Sequence, residues 1–223
     1  SSDLDYVATS SLALYSGYSS TIKDAAGNDA TLTLASPGAA NSLGANKDLV
    51  IDTTLPTVTG VTSTTSNGSY RQGETIAITV EFSEVVNVDE SGGTPTLTLN
   101  NTSGTNPAVD YSSGSGSTTL TFNYTIGSGE TSGDLDYATT NSLVLNSGTI
   151  KDAAGNAATL TLASPGASNS LGNNRALIVD TSVPTISSVS LNAANSELTV
   201  TFAENVYDTD GGSGDLEAAD FEL

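Results

Sequence analysis

Ile76, Ile78, Val80 and Phe82 alternate with Ala77, Thr79 and Glu81, and Leu120, Phe122, Tyr124 and Ile126 alternate with Thr121, Asn123 and Thr125. A period of two places one set on each face of a pleated strand, so each run predicts a strand with a core face and a solvent face. Shorter runs repeat the pattern at Leu97/Leu99, Leu143/Leu145, Leu160/Leu162 and Leu198/Val200/Phe202. Turn-forming clusters separate them, among them Asn67-Gly68, Ser91-Gly92-Gly93, Ser112–Ser117 and Asn146-Ser147-Gly148. No window holds a sustained helical period. Many short strands at near-regular spacing predict an all-β chain built as an antiparallel sandwich.

The pattern recurs along the chain. TIKDAAGN occupies Thr21–Asn28 and again Thr149–Asn156; each copy leads into ATLTLASPG, NSLG and a VIDTTLP-like segment. Asp52 and Asp180 occupy equivalent places 128 residues apart. DLDY precedes each TIKDAAGN, at Asp3–Tyr6 and Asp134–Tyr137, and an insertion at Tyr18–Ser20 interrupts the first copy. Residues 1–52 thus read as the C-terminal half of a repeat and residues 53–180 as a complete repeat. Residues 181–223 read as the N-terminal part of a divergent repeat, in which Phe202–Val206 (FAENV) echoes Phe82–Val86 (FSEVV). Such an array predicts a scaffold built of stacked or serial units rather than an enzyme.

Composition narrows the chemistry. The chain has 25 acidic and 5 basic residues, a formal charge of −20, and no Cys, His, Met or Trp. Without thiolate or imidazole, zinc and copper centres lose their usual ligands, and no histidine is present to activate a serine. No G-x-S-x-G motif occurs, so a catalytic role is not expected. A polyanion repels nucleic acid and anionic membranes and attracts cations. No apolar stretch is long enough for a membrane-spanning helix. With no Trp and few aromatic residues, only Tyr15 and Tyr18 of the inserted loop offer a surface on which a sugar could stack.

FSEVV followed by TPTLTLN, DLDY, TIKDAAGN, NSLG and VIDTTLPTV resembles the bacterial immunoglobulin-like repeats of very large secreted adhesins, over residues 1 to about 190. The resemblance implies tandem immunoglobulin-like antiparallel β-sandwich repeats at the bacterial cell surface. It also implies a spacer role, with neighbouring repeats as partners and calcium near the joints.

Calcium takes six to eight oxygen ligands, and two equivalent sets are candidates: Asp24, Asn28, Asp52 and Glu84 at one joint, and Asp152, Asn156, Asp180 and Glu204 at the next. Each set would draw ligands from a departing loop, a linker and an arriving strand. A plainer account stands beside this one. Asp-Ala-Ala-Gly-Asn is also a good simple turn, and a glutamate on an exposed strand needs no ligand. Asp134 and Asp136, with Asp3 and Asp5, read either as a second cation pair or as a solvated edge opposing strand-to-strand association. Asp208, Asp210, Asp215 and Asp220 flank a Gly-rich loop that lacks EF-hand spacing. An alternative to the stalk is a head-to-tail filament or surface-layer subunit, in which residues 181–223 of one chain complete residues 1–52 of the next.

Overall fold

The longest strand, β3 (Thr75–Asp89), serves two parts of the fold. Its first half pairs antiparallel with β1 (Val58–Ser63) on one side and β6 (Ser117–Thr125) on the other. The register sets Ile76 opposite Tyr124, Ile78 opposite Phe122 and Val80 opposite Leu120, so the two long alternating runs lie directly side by side. The regular register with β6 breaks between Glu81 and Val86. Beyond that break β3 pairs with β9 (Thr149–Lys151), with Val88 opposite Ile150. The FSEVV motif therefore sits where β3 leaves one set of partners for another.

The described residues of the computed structural model are 3–17, 20–101, 106–209, 212–217 and 220; Tyr18 and Asp210 fall outside them. The chain divides into two compact units, Ser1–Thr54 and Leu55–Leu223. In the second unit the sheet continues from β6 through β5 (Ala108–Ser113) and β4 (Thr96–Asn100) to β7 (Asp136–Tyr137), with β8 (Leu143–Val144) also on β4. A separate parallel pair joins β2 (Gly68–Tyr70) to β10 (Leu177–Val179). Ile76, Ile78, Leu97, Leu99, Leu120, Phe122 and Tyr137 are fully enclosed in one core cluster. Tyr111 packs edge-on to Phe122 at 6.1 Å. Fully burying a side chain of this kind contributes about 1.5–3 kcal/mol, so these residues supply the main stabilising term. The all-β sandwich expected from alternation is the fold observed.

The edge of β1 is covered rather than open. Val61 N–H donates to Asn169 C=O at 2.9 Å, Asn174 Nδ2 donates to Val61 C=O at 2.8 Å, and Arg175 Nε donates to Ser63 C=O at 2.8 Å. Occupied backbone groups cannot template another chain. The covering segment is a single helical turn, α2 (Leu171–Asn174), whose N-cap Ser170 accepts from Asn173 N–H. Its copy is α1 (Leu43–Asn46), capped by Ser42. A four-residue turn is too short to show a helical period, so the alternation pattern did not predict it.

Two expectations are corrected here. Leu160/Leu162 lies on no ladder: Leu162 is buried, but its segment is held by an isolated Thr57–Thr159 bridge and by Leu162 N–H donating to Thr140 C=O. Asp136 is not part of a solvated edge. It is buried; its Oδ2 accepts from Gly166 N–H at 2.9 Å and its Oδ1 from Tyr137 N–H at 2.9 Å. A Cβ on Gly172 would come within 3.0 Å of that Oδ2. The carboxylate thus ties DLDY to the SPG turn and leaves no room for a side chain at NSLG, whereas Asp134 is exposed.

The first unit repeats this polar frame. Gly38 N–H donates to Asp5 Oδ2, Tyr6 OH to Ala35 C=O, and Leu4 N–H to Leu49 C=O. Near the C-terminus β11 (Ile186–Leu191) and β12 (Leu198–Phe202) form a hairpin. Its register shift between Ile186 and Ser188 reproduces the one between Val58 and Gly60 in β1. Among the described residues no helix is long and apolar enough to cross a membrane.

Candidate metal site

Asp152 opens the turn that returns β9 on itself. Lys151 bridges to Ala157, Asp152 N–H donates to Asn156 C=O at 3.1 Å, and Ala158 N–H donates to Ile150 C=O. Gly155 takes φ +96°, a conformation that a side chain would strain. Inside the turn Asn156 meets the Asp152 carboxylate twice: its backbone N–H reaches Oδ1 at 2.8 Å and its Nδ2 reaches Oδ2 at 2.7 Å. Burial pushes the Asp152 carboxyl up, but hydrogen bonds from the Asn156 side chain and from the Asn156, Gly155 and Ala154 backbone outweigh it. The net shift is below the ordinary carboxylate value, so these donors hold the charged form.

Glu84 is half-buried at the break in β3. Because β9 pairs with the segment just beyond that break, Asn87 opposite Lys151, the residue after Lys151 lies beside it. Carboxylate oxygens of Glu84 and Asp152 come within 4.8 Å of each other. Two oxygens on one calcium ion, each at about 2.3–2.6 Å, can be at most about 5 Å apart, so this spacing fits a shared ion. Two carboxylates so placed repel in the absence of a cation. The donors are all oxygen, the set a hard cation selects.

The incoming chain is fixed next to this pair. Thr57 N–H donates to Ser83 Oγ, Ser83 N–H donates back to Thr57 C=O, and Thr159 N–H donates to Pro56 C=O. Pro56 and Thr57 are therefore clamped between the residue preceding Glu84 and the extended segment that follows the Asp152 turn.

The other candidates are placed as follows. Asp24 holds the first copy of the turn: Oδ1 accepts from Ala26 and Asn28 N–H, and Oδ2 from Asn28 Nδ2 at 2.8 Å. Asp52 Oδ1 accepts from Thr54 N–H at 3.0 Å, and Asp180 Oδ1 accepts from Ser182 N–H at 2.9 Å. Glu204 lines a groove with Phe202, Tyr207 and Asp215. Asn28 and Asn156 both meet their aspartate through the amide nitrogen.

The grouping thus differs from the sequence-based one. Asp152 faces Glu84 of its own unit, whereas alternation and spacing had put these two residues at different joints. Only the pairing of β3 with β9, more than 60 residues apart in sequence, brings them together.

The segment 52–164, which contains both Glu84 and Asp152, matches the model of the bacterial Ig-like domain family. Neither the curated proteins nor the solved structures yielded a match. Domains of this family are typical of bacterial surface proteins and are typically non-enzymatic. With half of the chain matched, an all-β sandwich, and both carboxylates of the site inside the match, the chain belongs to the bacterial Ig-like domain family.

Proposed function

We propose that the chain is a spacer segment of an extracellular bacterial adhesin, in which calcium bound at Glu84 and Asp152 fastens the complete repeat to the linker that enters it. The observation that carries this reading is the approach of the Glu84 and Asp152 carboxylates to within 4.8 Å in a chain of charge −20. Asp52 is the proposed third carboxylate. It lies four residues before Pro56, and four extended residues span at most about 13–14 Å, so chain connectivity alone keeps it close to the clamp. Backbone carbonyls and water supply the rest of the shell.

In this reading Asn156 orients Asp152 through its amide nitrogen, as Asn28 orients Asp24. An ion sharing ligands with linker and domain removes freedom from the hinge and relieves the repulsion between the two carboxylates. Asp180 and Glu204 are the proposed counterparts of Asp52 and Glu84 at the next joint.

Scanning calorimetry in calcium and in chelator tests the proposal. Calcium at about 100 times its dissociation constant stabilises a one-site protein by about 2.7 kcal/mol, roughly a 5–10 °C rise for a domain of this size. Asp152→Asn removes that rise and Asp24→Asn keeps it. Small-angle scattering gives a narrower spread of end-to-end lengths in calcium. Identical melting temperature and identical scattering in the two conditions would sink the proposal.

A further inference from the structure

Near its two ends the complete repeat holds two segments that run side by side in the same direction. β10 pairs parallel with β2, Leu177 opposite Gly68 and Val179 opposite Tyr70. Contacts on either side of this short ladder keep the same order. Before it, Val61 N–H donates to Asn169 C=O, Asn174 Nδ2 donates to Val61 C=O, and Arg175 Nε donates to Ser63 C=O. Next, Ala176 N–H donates to Asn67 Oδ1 at 3.2 Å, and Gly68 N–H donates to Ala176 C=O at 3.1 Å. After it, Asp180 N–H donates to Tyr70 C=O at 2.9 Å. Partner numbers rise together along 61–70 and 169–180, so the two segments are joined in parallel over their whole length. The Asn67, Asn174 and Arg175 side chains extend a ladder that would otherwise span three residues on each strand.

Parallel order decides how this pair meets tension. Repeat sequence continues on both sides of residues 53–180, so a pull along the chain enters the repeat at Pro56 and leaves it at Asp180. Such a pull drags residues 61–70 toward the entry and residues 169–180 toward the exit. The two segments then slide past each other, and every contact between them is loaded at once, in shear. Contacts loaded from one end instead break one after another, at a lower force. We propose that the paired segments 61–70 and 169–180 are the force-bearing clamp of the repeat, with Asn174 and Arg175 as its side-chain anchors. The clamp rests on the spacer reading for its use, since only a spacer in series with other repeats carries tension. It does not depend on bound calcium. Forced unfolding is governed by the unfolding rate, so the clamp sets how long the repeat keeps its length under load.

Optical tweezers on the full chain in chelator test the clamp. The sequence has no Cys, so thiol-linked handles attach only where cysteines are introduced. Leu55→Cys with Val183→Cys, both at exposed positions, loads the paired segments in shear. Gln72→Cys with Val183→Cys, again at exposed positions, pulls from the end where Tyr70 meets Asp180 and peels the same contacts apart. The expected result is a severalfold higher unfolding force in the first geometry than in the second. Adding Asn174→Ala and Arg175→Ala should raise the unfolding rate at a held load about tenfold or more in the shear geometry, as two hydrogen bonds are lost from the rupture. In the peeling geometry the same pair of changes should have a much smaller effect. Equal forces in the two geometries overturn the proposal, and that comparison needs no variant inside the clamp. An unchanged rate under shear would place the load on the β1–β3 pair or on the Thr57–Ser83 contact, and an equal rise in both geometries would make Asn174 and Arg175 stabilisers that bear no load; either result also overturns it. None of these outcomes decides the spacer reading, which calorimetry and scattering in calcium test separately.

Discussion

The two copies of the DLDY-to-VIDT segment share their hydrogen bonds but not their burial. In both, an aspartate accepts from the glycine of SPG, Asp5 from Gly38 and Asp136 from Gly166. In both, a tyrosine hydroxyl donates to the same alanine carbonyl, and a serine caps the same short helical turn. Yet the apolar residues between these contacts are enclosed in one copy and open in the other. The polar frame is local, made by residues within about 50 positions of one another, and forms wherever the motif occurs. The core is non-local, because its other wall is the front half of the repeat. Local hydrogen bonds specify the shape of the segment, and apolar burial supplies the stability.

The largest effect that would break this comparison comes from truncating matched core positions. Leu135→Ala removes a side chain that is wholly enclosed and should cost about 2–5 kcal/mol. Leu4→Ala alters the equivalent open position and should cost under about 1 kcal/mol. Urea unfolding read by hydrogen exchange at each segment measures both. Equal losses would mean that residues 3–52 bury an equivalent core in solution, and the contrast between the copies would collapse.

The legible parts of the fold were those with local signatures. Ile76–Phe82 and Leu120–Ile126 carry enough alternating positions to identify β3 and β6, and the observed register pairs them residue for residue. Asp136 was misread for a physical reason. In the two-residue strand β7 both Asp136 and Tyr137 are buried, with Leu135 buried before them, so a period of two does not apply there. Polar satisfaction by Gly166 and Tyr137, which the strand pattern does not encode, decides its place. For the candidate site, Asp152 and Glu84 were both recognisable as oxygen donors. Their partnership was not, because it depends on the β3–β9 pairing and on the break at Glu84. The SLG helical turns had a weak signal in the serine N-cap, and the role of α2 in covering β1 depends on contacts more than 100 residues apart.

A smaller effect tests whether the shared frame matters more where it is enclosed. Asp136→Ala leaves the Gly166 and Tyr137 N–H groups without their acceptor inside the fold, and losing buried partners of this kind costs about 1–3 kcal/mol. Asp5→Ala exposes the equivalent Gly38 N–H to water and should shift the urea midpoint by much less. A larger loss for Asp5 than for Asp136 would show that the frame, rather than the core, carries the stability of the segment.

The smallest effect is the titration of the paired turns. Asp24 is held below the ordinary carboxylate value chiefly by the Asn28 side chain and then by the Asn28 backbone N–H, partly opposed by burial. Asp152 is also held below it, with burial as the largest influence and opposing the shift, and with the Asn156 and loop hydrogen bonds prevailing. A carboxyl depressed in the folded state contributes stability that is present above its unfolded value, about 3.9, and lost as pH falls through the folded value. In chelator, the wild-type urea midpoint should therefore fall more steeply on acidification below about pH 4 than that of Asp152→Asn, which cannot titrate there. Carbon-detected NMR of the two side chains sharpens the contrast between the copies. Both midpoints should lie below the unfolded value in chelator, and calcium should push only that of Asp152 lower still, because proton and cation compete for the same oxygens. Displacement of Asp24 by the same amount would mean that calcium acts on the turn motif itself, with no contribution from the Glu84 carboxylate that only the complete repeat places beside it.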